Sequence, residues 1–333
     1  MAGRRTNLGL LVALVVAMGT GVGAFAVGTP AGRVVVVAHG AAGLAVVVLA
    51  PWKQQIVRRG LRRRRGASWA GLALLATVTL TVVSGIAHAV GAGPVAGISA
   101  MQVHVAAAVL MALPLVGHVA TRPAHPRTAD LGRRSLVRAA AVGVAASGAW
   151  AVTEGAHAMA GAPARRFTGS HERGTDDPAV MPVTQWFTDV VPDIDPVSWA
   201  VTVGDGRGAV RRLTLPQLRA IGPRERRAVL DCTGGWYAAQ TWGGVALGDL
   251  IAAGRGRRVV VTSVTGYARA FPAALLGDLL LALDVGGAPL TAGHGAPARL
   301  VVPGRRGFWW VKWVTSITVD DHPPWAQPPF PLQ

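Results

Sequence analysis

Five apolar stretches fill the first half of the chain, at about 8–27, 33–51, 68–90, 95–119 and 137–160. Each is close to the ~20 residues a helix needs to cross a bilayer. The pattern then changes. Residues 162–197 are rich in Pro, Asp and Gly without a sustained period and read as extended loop. Short β-type runs follow at 199–203, 259–263, 299–302, 309–314 and 316–319, with helical candidates between them at 215–220, 247–253 and 273–283. Strands mixed with helices predict an α+β domain. The expectation is a five-span α-helical membrane bundle over 1–161 followed by an α+β domain over 162–333, with a Pro-rich tail from 323 to 333.

Charge sharpens that division. The chain carries +17 in formal net charge, yet only 15% of its residues are charged and 51% are hydrophobic. Residues 1–161 hold 15 Lys and Arg against two acids, Asp130 and Glu154, while 162–333 hold 18 against 14. The basic residues of the first half sit in loops: seven between Lys53 and Arg65, and Arg122, Arg127, Arg133, Arg134 and Arg138 between the fourth and fifth spans. The opposite loops carry only Arg33. Segregation into loops flanking apolar segments is a membrane pattern and excludes nucleic-acid binding as the reading of the high pI. The positive-inside rule places the N-terminus in the cytoplasm and the chain after about 161 outside the plasma membrane. The first segment is read as a retained span, because four more follow it.

Histidines recur in the spans, where an ionisable group is costly and usually functional. His39 lies about six residues from the outer end of the second span and His104 at a similar depth in the fourth. That match makes them the best axial pair for a b-type haem. His88 and His157 lie nearer the outer surface, and His125 reads as a loop residue. His118 follows His104 by fourteen residues, which brings it within about 40° of the same helix face and roughly 21 Å along the axis. His88 and His118 are the alternates. Histidines simply hydrogen-bonded between helices remain the other reading.

Cys232 is the single cysteine. It cannot form an intramolecular disulfide, so it is a buried small hydrophobe, a nucleophile or a thiolate ligand to a soft metal. It stands in Val229, Leu230, Asp231, Cys232, Thr233, Gly234, Gly235, Trp236. Two later motifs follow: His294, Gly295, Ala296, Pro297, Ala298, Arg299, and then Val311, Lys312, Trp313. In this order the three resemble the molybdopterin-binding domain of the sulfite oxidase family, over residues 167–319. The resemblance implies a molybdenum–molybdopterin oxidoreductase with Cys232 as the molybdenum ligand, and His294, Arg299, Trp310, Val311 and Lys312 at the pterin and its phosphate. It extends to Ser263 and to an early cofactor segment with Thr168, His171 and Glu172, and it aligns Tyr267 with an active-site tyrosine able to donate a proton. The arginine that sulfite oxidases keep beside the substrate oxyanion has no counterpart, and no sequence is left for their immunoglobulin-like domain. The surroundings of Cys232, with Trp242, Gly243 and Gly244 after it, look closer to the methionine-sulfoxide-reductase branch.

Gly132, Arg133, Arg134, Ser135, Leu136, Val137 and Arg138 resemble a twin-arginine export signal ahead of the fifth span. Together these features predict a multi-pass membrane oxidoreductase with its catalytic domain outside the cytoplasm. It would act on a sulfite- or sulfoxide-like small molecule and exchange electrons with quinone or a separate carrier through haem b. Two alternatives stay open: a haem-free enzyme docking a separate cytochrome, and a metal-free binding or assembly protein.

Overall fold

The computed structural model describes residues 2–62, 69–185, 190–251 and 256–328. The end of the basic run at 63–65, the last residues of the 247–253 helix candidate and the tail after 328 lie outside them. The chain divides into two compact units, Met1–His171 and Glu172–Gln333.

The first unit is helical: α1 (Ala2–Ala26), α2 (Gly32–Arg62), α3 (Trp69–Ala89), α4 (Ala100–Thr121) and α5 (Arg133–Met159). All five are long and apolar enough to cross a membrane. α1 packs chiefly on α2, α3 on α4, and α5 on α2. Large apolar side chains point outward along their length, among them Leu72, Leu75, Val109, Leu113 and Val144. A helix apolar on every side belongs in apolar surroundings. The helices outrun their apolar cores at basic ends: α2 continues through Pro51 to Arg62, and α5 begins at Arg133. Ser99 caps α4 reciprocally, its hydroxyl accepting from the Gln102 N–H at 3.2 Å while the Gln102 side chain accepts the Ser99 N–H at 2.8 Å. That satisfies two donors an α-helix start leaves open. Asp130, in the 3-10 turn before α5, is gripped by Arg4 and Arg5 of α1.

The second unit is built on two sheets. Its strands are β1 (His171–Glu172), β2 (Ala200–Gly204), β3 (Val210–Thr214), β4 (Arg224–Asp231), β5 (Trp236–Ala246), β6 (Arg258–Ser263), β7 (Ala268–Pro272), β8 (Leu280–Val285), β9 (Ala288–Pro289), β10 (Arg299–Val301) and β11 (Val314–Asp320). In one sheet β4, β5, β8 and β10 run antiparallel in that order, with β9 beside β8. The other has the order β3-β2-β11-β6-β7, with β2 and β11 parallel. Trp242, Leu281, Leu300, Val261 and Ile317 are fully buried and belong to one core drawn from both sheets. Two short helices complete the unit, α6 (Leu215–Ala220), where the sequence places it, and α7 (Leu247–Leu250).

Two sequence expectations are corrected, and one hairpin was not foreseen. The run 273–283 is not a helix: it is a 3-10 turn at Ala273–Leu275 followed by β8. β8 lies between β5 and β10, so nearly all its positions are buried and the alternation that marks a strand is missing. The run 309–314 is not a strand. A 3-10 turn at Gly307–Trp309 leads into an irregular segment that ends at Trp313, whose φ is +52°. The β4–β5 hairpin is absent from the sequence reading, because Arg224, Glu225, Arg226 and Arg227 disguise the first strand.

Candidate active site

Cys232 opens the turn of that hairpin. Its N–H donates to the Trp236 carbonyl at 2.8 Å, and its carbonyl accepts the Gly235 N–H at 3.1 Å. Gly235 has φ +90°. This is a three-residue hairpin loop closed by a left-handed residue, which explains the glycine. Cys232 is 9% exposed, and its Sγ accepts the Gly234 N–H at 3.3 Å. Burial pushes the thiol pKa up, while the Gly234 N–H, the Thr184 side chain, Arg306 and Lys312 pull it the other way. A thiol so placed has its charged form favoured by these four groups and opposed by dryness, which suits a metal-ligating sulfur better than an exposed nucleophile.

Thr184 is the residue the sequence does not reveal. It lies in the Pro-rich stretch, yet its hydroxyl accepts from the Trp236 indole N–H at 2.9 Å, and its carbonyl accepts from Lys312 Nζ at 2.9 Å. Lys312 also donates to the Gly293 carbonyl at 2.7 Å and lies over the Trp313 ring. Gly295 must be a glycine, because its φ is +109° and a Cβ there would meet Lys312 Cβ at 3.1 Å. Lys312 therefore straps the Thr184 segment to the His294 turn beside the thiol.

His294 is buried, and burial holds its pKa below the usual histidine range, with Arg299 and Lys312 adding to the effect and the Met181 carbonyl opposing it. Its Nε2 donates to that carbonyl at 3.0 Å, and Nδ1 pairs with the Thr291 hydroxyl at 2.9 Å. A neutral ring with a proton on Nε2 satisfies both contacts. The ring thus anchors the segment that carries Thr184.

Arg299, in β10, is 3% exposed. Its guanidinium lies 5.6 Å from the ring centroids of both Trp242 and Trp310 and donates to the His294 carbonyl at 3.1 Å. Burial lowers its pKa to about 10, with Cys232 pulling it back up. Its buried Nε has no hydrogen-bond partner among the described residues. An orphaned donor on a buried cation is costly, and it marks a place for an anionic or acceptor-rich ligand. Trp310 donates its indole N–H to the Arg305 carbonyl at 3.2 Å, and Val311 is fully buried. Cys232, His294, Arg299, Trp310, Val311 and Lys312 are thus drawn into one neighbourhood.

Other expected residues stand elsewhere. The Tyr267 hydroxyl donates to the Phe308 carbonyl and accepts from Arg269 Nε at 2.9 Å, so its proton is already engaged. Ser263, at the end of β6, accepts the Thr265 N–H at 3.2 Å. Thr168 is buried in the first unit. His171 donates through Nε2 to the His88 carbonyl at 2.7 Å, with its ring against His88 and His157. The Glu172 carboxylate accepts the Thr175 N–H at 2.6 Å. None of these last contacts involves the thiol neighbourhood.

Within the first unit, His39 and His104 meet. Their ring centroids are 5.7 Å apart and their planes perpendicular. Each donates Nδ1–H to a main-chain carbonyl, His39 to Ala17 at 2.8 Å and His104 to Thr81 at 2.7 Å. That leaves Nε2 with a lone pair in each neutral ring, the usual arrangement of a metal-binding imidazole. Gly85 makes room, since a Cβ there would meet His104 Nδ1 at 2.9 Å. His88 instead donates to the Gly169 carbonyl at 2.9 Å. His118 keeps a buried Nδ1 without a hydrogen-bond partner among the described residues.

Residues 188–327 match the family model described as "Oxidoreductase molybdopterin binding domain". Mitochondrial sulfite oxidase of Rattus norvegicus is 29% identical over 166 residues, 39% of this chain and 30% of that protein. Sulfite oxidase of Gallus gallus is 31% identical over 180 residues, 41% and 39% of the two chains. Nitrate reductase [NADPH] of Fusarium oxysporum is 30% identical over 95 residues, 25% of this chain and 10% of that one. The matches thus span well under half the length of these relatives. A solved structure, the sulfane dehydrogenase SoxCD from Paracoccus pantotrophus, shares 24% identity over 40% of each chain with a TM-score of 0.37. Residues 188–327 of the second unit therefore resemble an oxidoreductase molybdopterin-binding domain.

Proposed function

We propose that this chain is a membrane-anchored molybdopterin oxidoreductase whose second unit works outside the cytoplasm on a sulfite- or sulfoxide-like substrate, exchanging electrons with quinone through a b-type haem in the first unit. The observation that carries the reading is the buried Cys232 thiol on a fixed hairpin turn, in one neighbourhood with Arg299, whose buried Nε lacks a hydrogen-bond partner among the described residues. The residues present suit the cofactor. Cys232 would hold molybdenum as a thiolate, and Arg299 would meet an anionic end of the pterin with Lys312 adding positive charge. When bound, molybdenum supplies a two-electron change coupled to oxygen-atom transfer. The chain's own contribution is placement. The hairpin orients Sγ, the Trp242 and Trp310 rings flank the guanidinium, and His294 and Lys312 brace the Thr184 segment beside the thiol. His39 and His104 are the residues that suit haem iron, each with Nδ1 committed to backbone. The all-round apolar surface of α1 to α5 supports the membrane anchor.

One purified sample tests the reading. Elemental analysis should give close to one molybdenum per chain, and dithionite should bring up b-type absorption bands. Molybdenum without those bands leaves the haem-free enzyme that docks a separate cytochrome. Absence of molybdenum from cofactor-replete cells leaves the binding or assembly protein.

Export is tested at the start of α5, where Arg133 and Arg134 are both exposed. R133K together with R134K keeps the charge and the positive-inside bias but removes the paired guanidinium groups. The second unit should then stay protected from protease added to intact cells, while α1 to α4 insert normally. Wild-type accessibility would show that these arginines act only as topological charge.

A further inference from the structure

Next to the thiol lies an ion pair that the roles assigned above leave unused. Asp231 and Arg306 are 2% and 4% exposed, with Arg306 Nε 3.6 Å from Asp231 Oδ1. Their main chains form an isolated parallel bridge. Arg306 Nη2 donates to the Cys232 carbonyl at 3.0 Å, the same oxygen that accepts the Gly235 N–H. The next residue, Gly307, packs so closely that a Cβ on it would stand 3.1 Å from Cys232 Cα. A buried ion pair is a poor source of stability, because removing two charges from water offsets their attraction. A pair kept dry beside one cysteine therefore has a positional meaning.

We propose that Asp231 and Arg306 are positioning residues that lock the main chain of Cys232, presenting its Sγ in one orientation beside a fixed positive charge. This rests on the reading of Cys232 as the molybdenum ligand. Asp231 orients the guanidinium, and the guanidinium holds the Cys232 carbonyl in addition to the turn's own hydrogen bond. Gly307 lets the Arg306 strand come close enough for that bond. Lys312 and Arg299 supply further positive charge around the thiol.

The test uses the full-length, cofactor-loaded protein, with methionine sulfoxide and a reduced viologen dye as the assay. R306K keeps the charge but has a shorter reach and no planar fork. D231L combined with R306M removes both charges and leaves none buried alone. Both variants should retain molybdenum and show Mo(V) paramagnetic resonance with altered g-values. Their kcat should fall about 10- to 100-fold with KM little changed, the scale expected for a partner that orients a metal ligand. Loss of molybdenum from both, with a wild-type circular-dichroism spectrum, would support the proposal in stronger form. Wild-type resonance and kcat in the double variant would overturn it, as would unfolding of both variants, which assigns the pair to general stability. If the unaltered protein itself holds no molybdenum, the functional reading fails instead, and that outcome is visible before any substitution is compared.

Discussion

Cys232→Ser should reduce turnover below about a hundredth of the unaltered enzyme, because even groups that only orient a metal ligand are worth about 10- to 100-fold. A hydroxyl is a harder and weaker ligand than a thiolate. The fold should survive. Serine is of similar size, its oxygen can accept the same Gly234 N–H that Sγ accepts at 3.3 Å, and burying it with that bond made costs about 1 kcal/mol or less. Unchanged dichroism and melting with lost activity and altered molybdenum resonance is the expected result. Near-full turnover by the serine variant would refute the ligand assignment.

The second large effect is in the first unit. His39→Ala and His104→Ala should each abolish the b-type absorption bands completely, since one imidazole of a facing pair cannot hold the iron as two do. His118→Ala and His88→Ala should leave the bands in place. His88 spends its Nε2 on the Gly169 carbonyl, whereas His39 and His104 spend only Nδ1. Spectra of membranes from the four variants decide it. Bleaching by His88→Ala with His39→Ala unaffected would show that the depth match between α2 and α4 selected the wrong pair.

The pairing of His39 with His104 is legible in the sequence because spans of known length give each residue a depth, and depth is one coordinate of two. The α helices were legible for the same reason, apart from their basic ends. The thiol neighbourhood was legible only through its motifs. Thr184 reaches it from a stretch with no periodicity, held by the Trp236 indole and Lys312, and such contacts leave no trace in spacing. Arg306 was hidden because one more arginine in a basic chain reads as surface charge, although it is among the most buried polar residues. β8 was mistaken for a helix because a strand covered on both faces loses its alternation. Tyr267 was singled out by resemblance alone, and in the structure its hydroxyl donates to the Phe308 carbonyl.

The parallel pairing of β2 with β11, which sets Thr202 against Ser316, governs when the second unit can fold. The helices of the first unit pair mainly with their sequence neighbours and can assemble as successive hairpins while synthesis continues. The sheet β3-β2-β11-β6-β7 has as its middle strand β11, made well after β2, β3, β6 and β7. Until residues 314–320 leave the ribosome, β2 and β6 have no common neighbour, and the loop joining β2 to β11 must close before either gains from it. That sheet is therefore completed late, after all five helices of the first unit have been made.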